Sequence, residues 1–135
     1  MPPTGSTGER ADVELRLPAD SVYVSVLRTT TASLSARLDF TIDDIEDLRI
    51  AVGEACAMVL PEADPGTDLV AEFFLGRGRL TVQVSVSGSD IGEPDYDSFA
   101  WQVLDTLAGE AAAQVADGRF VVTLSMNSET LDARL

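Results

Sequence analysis

The chain has 135 residues, 45% of them apolar and 24% charged, with a formal net charge of −14, and this composition is typical of one folded domain. All nine basic residues are arginine, and the absence of lysine and histidine excludes a Walker A loop, a Schiff base and histidine-based catalysis. The acidic excess argues against direct contact with nucleic acid, because phosphate contacts need clustered positive charge, and favours a basic partner or simple solubility.

The N-terminal part of the sequence predicts an arm followed by a strand. Residues 1–10 are rich in proline, glycine, serine and threonine, a composition typical of disorder. Residues 12–17 alternate polar and apolar side chains, as a half-buried strand does, and Pro18 ends this strand. The sequence contains no signal-peptide pattern and no apolar run near 18 residues, so we expect a cytoplasmic protein without a membrane span.

Two helices are predicted next. The first is capped by Asp20 or Ser21, and its valines and threonines make it a weak helix former that needs packing to hold it. Its apolar residues recur at three- and four-residue steps: Tyr23, Val26 or Leu27, Thr30, Leu34 and Leu38. The second helix runs from about residue 42 to residue 60, is capped by Thr41 and ends at Pro61.

The C-terminal part predicts a hairpin, a third helix and a last strand. Segments 69–75 and 80–86 alternate around a short glycine turn, which indicates a β-hairpin. A loop rich in Gly, Ser, Asp and Pro leads to Ser98, which caps the third helix, and Gly118 closes that helix. Its predicted apolar face comprises Phe99, Val103, Leu107, Ala111 and Val115. Residues 120–124 form the last strand.

The predicted fold class is α/β, with the element order β-α-α-β-β-α-β. This order indicates a two-layer sandwich, in which three helices cover one face of a mixed, mostly antiparallel sheet. Residues 11–126 form the single domain, and residues 127–135 are a polar tail.

Three segments carry a resemblance to a known family. The segment 47–60 (DLRIAVGEACAMVL), together with the element order, resembles the anti-sigma factors of the RsbW/SpoIIAB type. These belong to the GHKL (histidine-kinase-like, Bergerat-fold) ATPase superfamily, and the chain looks most similar to its shortened actinobacterial members. Residues 24–28 (VSVLR) and 98–107 (SFAWQVLDTL) match the family's first helix and the helix after its last glycine box. The resemblance covers about residues 12–125.

The resemblance implies a role in transcription control. Such proteins bind an alternative sigma factor and keep it from core RNA polymerase, and an anti-anti-sigma protein with a STAS domain releases it. Members with an intact site are also serine kinases that inactivate that antagonist. Family members are commonly dimers, so a second copy is an expected partner, through the apolar face of the first helix and the adjoining strand edge. The implied contact residues for partners are Val24, Leu27 and Arg28.

The family's nucleotide site is only partly matched on the second helix. The family places a Glu as general base and, four residues later, an Asn that binds Mg²⁺, so that both lie on one helical face. Glu54 matches the first position, but Met58 stands at the second, and a soft thioether is no ligand for Mg²⁺.

The glycine boxes of the family are also degenerate. Asp90 and Gly92 form a partial D-x-G pattern that lies about three residues late, so the adenine contact is not assigned to Asp90. The last G-x-G box is replaced by Ser98-Phe-Ala100, and the loop before it is shorter than the family's ATP lid. We therefore expect weak or no binding of ATP and Mg²⁺, no kinase activity and a relic role for Glu54. The alternative is a rearranged site that still holds nucleotide.

Several residues have competing interpretations. Arg28 either contacts an acidic residue of the sigma factor or is a solvated surface arginine. Cys56 is interpreted as a buried, inert thiol, and Trp101 and Phe99 as packing residues. Two other functions compete with the anti-sigma role: an active serine kinase of the same fold, and an acidic interaction module unrelated to sigma factors.

Overall fold

The computed structural model describes residues 9–128, so most of the predicted arm (1–10) and tail (127–135) lies outside the described residues. The strands are β1 (Val13–Pro18), β2 (Asp68–Gly76), β3 (Arg79–Ser87), β4 (Glu110–Ala116) and β5 (Arg119–Asn127). The helices are α1 (Val24–Arg37), α2 (Ile42–Val59) and α3 (Phe99–Leu107). The strands form one sheet in the order β1-β2-β3-β5-β4. In this part of the chain, no helix combines the length and the apolar character needed to cross a membrane.

The two faces of the sheet differ in chemistry. Ala71, Val84 and Val122 are opposite one another on neighbouring strands and are fully buried, forming one of several apolar rows. The residues between these rows face the other side and include many polar residues, as in the Gln83–Thr123 pair, whose side chains are hydrogen-bonded at 3.4 Å. The helices therefore cover the apolar face: α2 packs on β3 and β5, and α1 and α3 pack against α2. The predicted two-layer α/β sandwich is confirmed.

Helix α2 forms as its sequence predicts. The Thr41 hydroxyl accepts a hydrogen bond from the Asp44 N–H at 3.1 Å, and Asp43 and Asp44 place negative charge in the first turn. The buried face of this helix includes Leu48, Ala51, Val52, Ala55, Cys56 and Val59. This face makes α2 the central element of the helical layer.

Helix α1 buries only part of the predicted face: Leu34 packs against the core as predicted, but two hydroxyl residues outside the predicted set are fully buried. Its buried residues are Leu27, Thr31 and Ser35, whereas Val26 is 41% exposed. Each buried hydroxyl donates to the carbonyl one turn earlier, Thr31 to Leu27 at 2.7 Å and Ser35 to Thr31 at 2.8 Å. Because these small polar groups are satisfied within the helix, they occupy the interface with α2 without a desolvation penalty.

The predicted third helix is too long. It ends at Leu107, and residues 110–116 form strand β4, so the true order is β-α-α-β-β-α-β-β and the described pairings are all antiparallel rather than mixed. The alanines of this segment favour a helix, but Asp117 and Gly118, both with positive φ (54° and 73°), form a two-residue hairpin turn. Pairing with β5 therefore overrides the local helix propensity of β4.

Candidate functional site

The face of α2 that bears Glu54 and Met58 keeps the spacing of the family's catalytic pair. The two residues are one turn apart, on the same side of the helix, and both are half-buried. The Met58 side chain packs against the hydrophobic core. Glu54 therefore supplies one carboxylate, but the position that needs a hard oxygen ligand for Mg²⁺ holds the apolar side chain of Met58.

The loop after β3 places Gly92 against a carboxylate of the protein itself. The Gly92 N–H donates to Glu62 Oε1 at 2.9 Å, and Glu62 lies in the 3-10 turn that follows α2. Asp90 is exposed in the same loop. A phosphate approaching this backbone would meet the negative charge of Glu62, so the loop is poorly suited to an anion.

The start of α3 is also satisfied internally. The Ser98 hydroxyl accepts from the Trp101 N–H at 3.1 Å, and Ala100 is half-buried beside it. Trp101 packs against the core and makes an edge contact with Tyr96, with ring centroids 4.9 Å apart, as its interpretation as a packing residue requires. Phe99 is 77% exposed, so its interpretation as a packing residue is wrong.

Three cavities of the structure do not include the candidate positions on α2 or at the start of α3. Their volumes are about 340, 470 and 180 Å³; Gly92 lines the one of about 470 Å³, and none of the three is lined by Glu54, Met58 or Ser98. Among residues 9–128, no three acidic or cysteine side chains are grouped closely enough to hold a metal ion. The structure thus brings α2 and α3 together without forming a recognisable nucleotide pocket among these three cavities.

The proposed contact residues on α1 have different surroundings. Leu27 has no exposed surface, because it packs in the core, so its assignment as a partner contact is corrected here. Val24 is half-buried against the core. Arg28 is exposed, and its guanidinium lies over α2 at Gly53: a Cβ added there would be 2.6 Å from Arg28 Nη2. The missing side chain of Gly53 therefore leaves room for the guanidinium of Arg28.

Cys56 of α2 is buried, and it is close enough to Arg28 for the arginine's charge to act on its thiol. Burial raises the pKa of its thiol from 9.0 to about 12, and the charge of Arg28 partly opposes this increase. The thiol is therefore protonated and inert at neutral pH, in agreement with the interpretation from sequence.

The shifted thiol predicts a dependence of stability on pH. Between about pH 9 and pH 12, the unfolded chain loses the Cys56 proton while the folded chain keeps it, so the stability contributed by this group is complete below pH 9 and falls as pH rises. The expected slope from this group is about 1.4 kcal/mol per pH unit. Urea denaturation from pH 8 to pH 11 should show this component in the natural protein and not in Cys56→Ala. Equal slopes in the two proteins would contradict the assignment.

Gly88 is the first residue of the loop after β3 and lies close to two neighbouring segments. Its N–H donates to the Gly118 carbonyl at 2.9 Å, and an added Cβ would overlap the backbone carbonyl oxygen of Glu62. Because that neighbour is backbone, it cannot move aside cheaply.

We expect Gly88→Ala to lower the free energy of unfolding by about 1–3 kcal/mol. Gly92→Ala is the matched control, because a Cβ at Gly92 would meet only Glu62 Oε1, at an ordinary 3.5 Å. Urea denaturation of both variants measures the difference. Equal losses would show that the loop base is not tightly packed.

Two functional residues were not identified from the sequence. Gly53 is an isolated glycine within α2, and such a glycine often indicates that another group lies close to the helix backbone. In the structure that group is the guanidinium of Arg28. Glu62 gave no comparable signal, because its partner at Gly92 is 30 residues away along the chain.

Part of the chain is similar in sequence to curated proteins. No protein-family model matches it. It is 39% identical over 88 residues to the serine-protein kinase RsbW of Halalkalibacterium halodurans, a match that covers 64% of this chain and 52% of that protein. It is 37% identical over 79 residues to the serine-protein kinase RsbW of Bacillus thuringiensis, covering 56% and 49% of the two chains. The matched part thus spans about half the length of these curated relatives.

A solved structure shares the fold. It contains the RsbU and RsbW domains of Rv1364c from Mycobacterium tuberculosis, and it matches 86% of this chain with a TM-score of 0.65 and 19% identity. The match covers 31% of that longer chain.

Proposed function

We propose that the chain is an RsbW-type anti-sigma factor of the GHKL fold that sequesters an alternative sigma factor mole for mole, because it is similar to two curated RsbW proteins over about half of their length. The observation that carries the proposal is the setting of Arg28 on a chain of net charge −14. Its guanidinium lies against Gly53 of α2, yet the residue is exposed to solvent. Arginine is enriched among binding hot spots, so an exposed arginine that packs against a neighbouring helix is a candidate partner contact.

The same proposal includes a nucleotide site that has lost its chemistry. Met58 cannot replace an oxygen ligand of Mg²⁺, and Glu62 already occupies the backbone donor at Gly92. With no metal ligand at Met58, Glu54 has no bound phosphate to act on, so we assign it no catalytic role. The chain would then bind sigma factor without turning over ATP.

The remaining partners follow from the family. We propose that a STAS-domain anti-anti-sigma factor releases the sigma factor by competing for the chain, with both events in the cytoplasm and without direct contact to nucleic acid or membrane. A second copy of the chain is a further proposed partner. The apolar face of α1 is buried within the protein, so this contact would use the unpaired edge of β1 instead.

Affinity purification from the native cell, followed by transcription in vitro, tests the proposal. We expect one alternative sigma factor to co-purify, and we expect one molar equivalent of the chain to stop transcription by its holoenzyme without added ATP. Recovery of no sigma factor would contradict the anti-sigma role. ATP-dependent phosphorylation of a STAS partner would instead identify the chain as an active serine kinase.

A further inference from the structure

Strand β4 is an edge strand with one unpaired side. In the described part of the sheet it pairs only with β5. The two-residue turn makes Ala116 and Arg119 a hydrogen-bonded pair, and such pairs alternate along an antiparallel ladder. The N–H and C=O groups of Ala111, Ala113 and Val115 therefore point away from β5, toward the open edge.

This edge lacks the features that usually prevent strand addition. Edge strands are commonly protected by proline, bulges or charged side chains. The other edge, β1, has alternating charges and ends at Pro18. In contrast, β4 reads EAAAQVA, and its one charged residue, Glu110, is paired with Arg79 at 3.3 Å at the end of the strand.

An open groove of about 470 Å³ lies beside this edge. Its walls are Ala113 and Val115 from β4 and, from the loop after β3, chiefly Ile91, Pro94 and Tyr96. Tyr96 and Val115 are 52% and 37% exposed, so apolar surface faces solvent there. The Tyr96 hydroxyl donates to the Ala113 carbonyl at 3.4 Å, a long contact with one of the outward-pointing groups.

The segment of the chain that supplies both walls of the groove carries one sign of charge. From residue 80 to residue 118 the chain contains no basic residue and seven acids: Asp90, Glu93, Asp95, Asp97, Asp105, Glu110 and Asp117. A ligand with positive side chains gains attraction at this rim, whereas a second copy of the chain would bring the same negative segment to it.

We propose that this groove binds an extended, basic segment of a protein partner, which adds to β4 as a sixth strand. Main-chain hydrogen bonds to Ala111, Ala113 and Val115 supply affinity, and alternate apolar side chains of the segment contact Val115 and Tyr96. Its basic side chains face the acidic rim. The site is separate from Arg28 on α1, and the proposal does not depend on the anti-sigma role.

The test uses a capped heptapeptide in which arginine and valine alternate (RVRVRVR), titrated into the isotope-labelled full chain and followed by NMR. We expect saturable shifts at β4 and slowed hydrogen exchange at the amides of Ala111, Ala113 and Val115. Two control peptides isolate the components: EVEVEVE reverses the charge, and RVRVRVR with every backbone nitrogen methylated cannot donate to the edge. Both should bind at least about fivefold more weakly.

Two variants at one position distinguish the groove from general attraction to an acidic protein. Tyr96→Phe frees the Ala113 carbonyl and keeps the ring, so it should bind RVRVRVR about as well as the natural protein or better. Tyr96→Ala removes the apolar wall and should weaken binding at least about threefold. Tyr96 is half exposed, and a thermal melt of each variant verifies that it is folded.

The proposal is overturned if RVRVRVR does not bind at millimolar concentration, or if the three peptides bind equally. Shifts confined to β1 would overturn it as well. Concentration-dependent shifts at β4 without peptide would assign the edge to a second copy of the chain instead.

Discussion

Replacing Phe73 by alanine is expected to lower the free energy of unfolding by about 3–5 kcal/mol. Phe73 is fully buried in β2, opposite Val13 of β1 and Val82 of β3, on the face covered by the helices. Truncation removes a ring from the core and leaves a cavity that strands on both sides hold open. Urea denaturation followed by circular dichroism measures the loss.

Phe99→Ala is the matched control, because it makes the same chemical change at a site that is 77% exposed. We expect it to change the free energy of unfolding by no more than about 0.5 kcal/mol. A loss similar to that of Phe73→Ala would mean that Phe99 packs in the core, and would contradict the orientation of α3 described above.

The largest expected effect on binding comes from Arg28. If its guanidinium contacts an acidic group of the sigma factor, Arg28→Ala should raise the Kd about 30-fold, the effect of losing a hot-spot residue worth about 2 kcal/mol. Gly53→Ala tests the positioning: it keeps the charge, but its new Cβ would lie 2.6 Å from Arg28 Nη2 and displace the guanidinium. We expect an intermediate loss for this variant.

Arg37→Ala provides the control for net charge, because Arg37 is exposed in the last turn of the same helix. It should change the Kd less than about threefold, the range of exposed charges at a rim. An unchanged Kd for Arg28→Ala would remove Arg28 from the interface, and equal losses for both arginines would reduce its role to general electrostatics.

The sequence predicted elements best where a local signal and the tertiary structure agree. For α2, the cap at Thr41, the early acids and the apolar stripe all indicate the same helix, and its predicted bounds differ from the structure by one residue. For α1, hydrophobic periodicity identified the buried Leu27 but missed Thr31 and Ser35. These two residues are buried because their hydroxyls are hydrogen-bonded within the helix, which hydrophobic periodicity does not detect.

For strand β4, the composition of the segment favours the wrong type of element. Alanine-rich residues 110–116 favour a helix, and only their pairing with β5 makes them a strand. The sequence does contain one hairpin signal, the Asp117-Gly118 dipeptide between two strand-forming runs, and the positive φ of both residues agrees with a two-residue turn rather than a helix end.

The candidate site was predictable only in part. Met58 in place of an oxygen ligand is visible in the sequence, because it depends on one residue type at one helical step. The Glu62–Gly92 and Arg28–Gly53 contacts are not, because each joins segments that are distant along the chain. Such contacts depend on the packing of whole elements.

Calorimetric titration of the purified chain with ATP and Mg²⁺ measures whether the nucleotide site has lost its chemistry. We expect no saturable heat at millimolar nucleotide, together with an unchanged Kd for the sigma factor when nucleotide is present. One molecule of ATP bound per chain with micromolar affinity, and lost in Glu54→Gln, would show that the site still binds nucleotide and would contradict its proposed loss.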